Sequence, residues 1–161
     1  MQGGPLAVKG TTMEKLSRRA SRENAFLAAF AATFDDMPLE QVVEQANEAG
    51  DYPLDEFAQA LLTAYYDHSA EINDLIRANL KGWTLERIPR VNLTVLRLAI
   101  AEAAYGPEKL PGVAINEAVE LTKKYADETD YQFVNGLLGN VVRQLGLESG
   151  EPAQEIGRAH V

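Results

Sequence analysis

Apolar residues recur at intervals of three and four along nearly the whole chain, and runs alternating apolar with polar are almost absent, so an all-α chain is predicted. The first helix is expected from about Met13 or Ser17 to Phe34, with Phe26, Leu27, Phe30, Ala31 and Phe34 on its apolar face. A second, short helix should start at Pro38, a good first-turn residue, and end before Gly50, a good stop. Its Glu40, Glu44 and Glu48 repel one another at i,i+4 and are read as a solvated face. After Pro53 the pattern is helical through "LDEFAQALLTAYYD", then through "SAEINDLIRANL" with Ile72, Leu75, Ile76 and Leu80 inward. The stretch "GWTLERIPR" is a corner, because Pro89 removes a backbone donor and disfavours helix at the residue before it. Asn92 is placed to cap "LTVLRLAIAEAAY", the most apolar helix and therefore the expected central one. After the loop "GPEKLPG", two closing helices are expected at about Val113 to Ala126 and Thr129 to Leu145. Residues 14–146 form the predicted helical domain, with residues 1–13 and 147–161 as flexible tails rich in glycine or polar residues.

A chain of 161 residues, 46% of them apolar, can fill one core without a crosslink, and it has no cysteine with which to make one. Only His68 and His160 are present, which excludes a histidine-rich metal site. No apolar run approaches the roughly 20 residues a membrane helix needs, and the first dozen residues lack the apolar core of a signal peptide. A cytoplasmic protein that is not membrane-bound is expected. Its formal net charge of -9 is unevenly distributed: no Lys or Arg interrupts the acidic residues between Asp35 and Asp74. Cations gather instead at Arg18, Arg19 and Arg22, and again at Lys81, Arg87, Arg90 and Arg97. Such a molecule is expected to be bipolar and to admit a polyanion on one side only.

Chemistry is harder to find than charge. There is no Walker A pattern, no Gly-rich turn between a strand and a helix, and no nucleophile elbow, and the carboxylates sit on solvated faces. Neither turnover nor a cofactor is expected. The three N-terminal arginines lie at i, i+1 and i+4 and span about 100° of helix surface, flanking the phenylalanine face. One helix can therefore dock into the core and show three guanidiniums to solvent, the geometry that holds successive phosphates. An ordinary basic surface turn satisfies the same spacing. Arg97 stands apart, surrounded by leucine, valine and alanine, where an isolated charge needs a carboxylate. Glu102 on the same helix is poorly aligned, so Glu117 in "AINEAVE" is the predicted structural partner.

Between Leu16 and Leu145 five pieces occur in order: "RRASRENAF", "WTLERI", the "LR.A..E" helix, "VAINEAVELTKKY" and "FVNGLL". Together they resemble the NusB family of bacterial transcription antitermination factors. That resemblance implies a helical bundle in two subdomains which binds the boxA RNA of ribosomal leaders together with the ribosomal protein NusE. The complex keeps RNA polymerase elongating. Carried over by position, Arg18, Arg19 and Arg22 fall in the family's RNA-binding motif, which Ala20 interrupts here. Gln132 and Phe133 fall at the start of the last helix, where an exposed ring would stack on an unpaired base and a buried one would be core. Asn92 stands where some relatives carry an acidic residue that contacts the ribosomal partner. Two other functions fit the same helices: a protein-interaction module with no RNA role, and a NusB-like accessory domain of an RNA methyltransferase. A monomer and a homodimer are equally compatible with the sequence.

Overall fold

The computed structural model describes residues 16–147, so the expected tail over residues 1–13 and all of the second except Leu147 lie outside the described residues. Seven α-helices and no strand occur among the described residues: α1 Arg18–Ala32, α2 Leu39–Ala49, α3 Glu56–Asp67, α4 Ser69–Ala78, α5 Arg90–Ile100, α6 Pro111–Tyr125 and α7 Asp130–Gln144. The all-α class and the expected helices are borne out. The chain divides into two compact units between Leu62 and Thr63, a break that falls inside α3.

In the first unit, Ser17 begins α1 by accepting the Ala20 backbone N–H on its hydroxyl oxygen at 3.0 Å, satisfying one of the helix's unpaired donors. The buried face of α1 is Ser21, Arg22, Ala25, Phe26, Ala28, Ala29 and Ala32. This corrects the expected aromatic face, of which Phe26 alone is fully inside, while Phe34 is 60% exposed and Ala31 faces solvent. The alanines recur at i, i+3, i+4 and i+7, and their small side chains let a neighbouring backbone come close, which larger rings would prevent. The phenylalanines instead pack along the helix, Phe26 on Phe30 at 5.9 Å and Phe34 edge-on to Phe30 at 5.3 Å. Helix α1 packs against α2, which turns Val42 and Ala46 inward and leaves Glu40, Glu44 and Glu48 exposed, as their repulsion predicted. At Gly50 the backbone takes φ +78, the left-handed stop for which glycine has no steric penalty.

In the second unit, α5 packs on α4, α6 and α7 and is the central helix, as its apolar sequence predicted. It starts at Arg90 with Pro89 in the cap position, three residues before the predicted cap Asn92. Proline suits that place because the first turn of a helix leaves its N–H groups unpaired in any case. The hydroxyls of Thr94 and Thr122 are buried and donate to the carbonyls of Arg90 and Ala118 one turn back, so neither is left unsatisfied. Past Ile100 the helix widens into a π turn, Ala101–Tyr105, and closes at Gly106. The φ of Gly106 is an ordinary -76, but a Cβ there would lie 2.7 Å from the Glu102 carbonyl oxygen. Glycine is required by space rather than by dihedral angle.

Arg97 is half-buried, and its Nε donates to the Asn73 side-chain oxygen at 2.9 Å. Its guanidinium also hydrogen-bonds the hydroxyl of Tyr65, as does Thr94. Burial pushes the Tyr65 phenol above its ordinary value, and the nearby Arg97 charge and these hydrogen bonds only partly oppose that. The expected ion pair with Glu117 is therefore replaced by neutral partners. A guanidinium that keeps part of its surface in water can be satisfied by an amide and a phenol without a second desolvated charge.

Two stability measurements check this arrangement. Gly106→Ala should lower the urea midpoint by an amount equivalent to about 1–3 kcal/mol at unchanged m, since the added methyl meets backbone that cannot yield. Arg97→Ala should cost about 1–3 kcal/mol by stripping partners from Tyr65 and Asn73. In a double-mutant cycle with Glu117→Ala the coupling should stay below about 0.5 kcal/mol; a larger value would restore the ion pair.

Candidate nucleic-acid interface

Side chains of α1 and of the start of α3, all in the first unit, meet at the arginine-bearing end of α1. Arg18 and Arg19 occupy its first turn and are exposed, whereas Arg22, one turn on, is only 6% exposed. The expectation of three guanidiniums in solvent thus holds for two. Arg22 is drawn inward because it shares the buried face with Ala25, Phe26 and Ala29, whose small neighbours leave room for its stem. The Arg18 guanidinium carbon lies 4.3 Å from the centroid of Phe57 and that of Arg22 lies 5.3 Å from it, so a single ring on α3 meets two cations.

The loop before α3 fixes that ring. Asp55 accepts the Ala58 backbone N–H on one carboxylate oxygen and the Ser21 hydroxyl on the other, at 2.9 and 2.5 Å. Asn24 donates to the Pro53 carbonyl at 2.9 Å. One acidic residue therefore caps α3 and ties it to the arginine helix, so Phe57, two residues further on, is held beneath Arg18 and Arg22. The Ser21 hydroxyl, which spacing alone left without a role, is part of this clamp. Nothing in the sequence marks Phe57, because it reads as an ordinary apolar position of α3.

The second unit carries the other predicted residues. Gln132 is exposed in the first turn of α7, and the Phe133 ring is 40% exposed, which excludes a fully buried core position. Behind it, Val134, Leu137, Leu138, Val141 and Val142 take the buried face. Two lysines near the end of α6 stand over aromatic rings, Lys123 at 4.7 Å from Tyr131 and Lys124 at 5.4 Å from Tyr125. These cations were missed, although "LTKKY" shows them adjacent in the sequence. Asn92 is 2% exposed and donates to an Asp130 carboxylate oxygen at 3.2 Å. Expected at a partner face, it is instead an internal tie between α5 and α7 with no surface to offer a partner. No group of three or more His, Asp or Glu side chains able to hold a metal occurs among the described residues, and no described helix is long and apolar enough to cross a membrane.

What each set of residues can do follows from its chemistry. In the first unit an exposed guanidinium over a ring, Arg18 on Phe57, is pre-organised for phosphate, and in the second an exposed ring, Phe133, offers a face for a base. Burial separates the arginines in a measurable way. Arg22→Ala should lower stability by about 1–3 kcal/mol because it empties an interior position beside Phe57, whereas Arg18→Ala should change it by under about 0.5 kcal/mol. Thermal unfolding of the two variants checks the contrast.

The sequence and the fold are similar to those of known proteins. The family model described as the NusB family matches residues 19–143. The transcription antitermination protein NusB of Geobacillus kaustophilus is 36% identical over 126 residues, covering 78% of this chain and 95% of its own length. That of Bacillus subtilis is 33% identical over 126 residues, with the same two coverages. Among solved structures, T. maritima NusB superposes with a TM-score of 0.70 at 34% identity, over 81% of this chain and 93% of that one. The antitermination factors NusB and NusE in complex with double-stranded RNA give 0.71 at 28% identity, over 79% of this chain and 96% of the matched chain. With the helices, their order and the matched residues in agreement, the chain belongs to the NusB family.

Proposed function

We propose that this protein is a transcription antitermination factor that binds boxA-type RNA of ribosomal RNA leaders together with the ribosomal protein NusE, so that RNA polymerase continues elongating. It acts in the bacterial cytoplasm as an adaptor, without turnover. The observation that carries this reading is the exposed pair Arg18 and Arg19 in the first turn of α1, with Arg18 held over Phe57. Membership of a family whose relatives are named for antitermination supports it, as does likeness to a NusB solved with NusE and RNA.

In this reading Arg18 and Arg19 neutralise phosphates, and Arg22 orients the motif from inside by sharing the Phe57 ring. Phe133 offers a face for one base and Gln132 an amide beside it. Two exposed arginines in a chain of net charge -9 make weak, salt-sensitive RNA binding by this protein alone, strengthened when the ribosomal partner adds its own surface.

Titration of labelled boxA-type RNA against an unrelated RNA of equal length, with and without NusE, tests the function. The boxA RNA should bind more tightly, and NusE should widen the difference. Equal binding of both RNAs in both conditions would leave a protein-interaction module. Replacing Arg18 and Arg19 together with alanine should flatten the log-affinity against log-salt slope by about 0.7 per lost contact on a single strand. Phe133→Ala should weaken binding by about 1–3 kcal/mol while leaving that slope unchanged, since stacking releases no counterion.

A further inference from the structure

Helix α7 carries an outward surface that its packing does not explain. Its buried residues run along one side, so Phe133, Gly136, Asn140 and Arg143 lie along the other at i, i+3, i+7 and i+10, within an arc of about 80°. All four are exposed. From Tyr131 to Leu147 there is no Asp or Glu, in a chain whose net charge is -9. The exposed polar side chains of α7 past its first residue are instead Gln132, Asn135, Asn140, Arg143 and Gln144.

Arg143 donates through Nη2 to the Asn140 side-chain oxygen, which draws its guanidinium back along the helix over Gly139. It forms no ion pair among the described residues. A Cβ on Gly136 would meet nothing within 4 Å, so neither packing nor dihedral angle requires glycine there. Glycine weakens the interior of a helix relative to alanine, and this one gains nothing from the fold in return. A bare helix backbone one turn from an exposed aromatic ring, with an oriented guanidinium further along the same face, is suited to close approach from outside.

We propose that this face is a second RNA-contacting surface, along which a single strand continues from the base stacked on Phe133, its backbone crossing at Gly136 and a phosphate reaching Arg143 about 15 Å further along the helix. The proposal rests on the RNA-binding reading given above and extends it to residues outside the arginine motif. The absence of carboxylates lets a polyanion lie against this face, and the carboxamides bond phosphate, ribose or base edges without charge.

The test uses the full chain with NusE and a labelled single-stranded boxA-type RNA, long enough to run past the stacked base. Arg143→Gln should weaken binding several-fold and lower the salt slope by about 0.7, the share of one phosphate. Gly136→Ala should raise the melting temperature, because alanine is the better helix former, and yet weaken RNA binding several-fold. A residue with only a structural role cannot produce that opposition. If both variants bind RNA like the parent while the Arg18 and Arg19 replacement loses affinity, this surface is refuted and the arginine motif stands. If none of the variants alters RNA binding, the RNA reading itself fails. If Gly136→Ala and Arg143→Gln keep RNA affinity and lose NusE, the face is a protein surface and the proposal is overturned.

Discussion

The guanidinium of Arg97 is the point at which α4, α5 and the second-unit end of α3 share one set of hydrogen bonds. Its Nε holds Asn73 of α4, and its remaining donors meet the buried hydroxyl of Tyr65 in α3, which Thr94 of α5 also contacts. A buried phenol and a half-buried cation each need partners, and here each satisfies the other. The directions of these bonds limit how α4 and α5 can slide, a constraint that apolar packing alone lacks because it has no direction. The position of α5 therefore governs what packs around it, including α7 and the ring at its start.

Polar ties of the same kind position the surface groups. Asp55 caps α3 with one oxygen and holds Ser21 of α1 with the other, and the consequence is felt at Phe57 and so at Arg18. Asn92 does the equivalent for α7 through Asp130. In both cases a short side chain inside the unit sets the place of a group outside it. The residues proposed to contact RNA depend on neighbours buried behind them.

Helix order, the central place of α5 and the stop at Gly50 were legible in the sequence because period, capping and φ preference are local properties. The face of α1 was not. Hydropathy ranks Phe30 and Phe34 above alanine, whereas the interior is set by how near two backbones can come, and only the alanine spacing at 25, 28, 29 and 32 records that. The apolar neighbours of Arg97 in the sequence point to a carboxylate partner, but its partial exposure lowers the cost of the charge and makes Asn73 and Tyr65 sufficient. Arg18, Arg19 and Phe133 could be found from the family's pattern. Phe57, Lys123 and Lys124 matter through tertiary placement, which neither period nor spacing encodes.

The widened turn at Ala101–Tyr105 bears on how such a chain can vary in length. A π turn accommodates one residue more than the α-helix it interrupts, and the surplus is confined to that turn. Everything before it, from Arg90 to Ile100, keeps its register whether or not the extra residue is present. One residue gained or lost within that turn therefore leaves the buried side of α5 unrotated. The end of α5 is a place where the reading frame of the helix can be reset by a single codon.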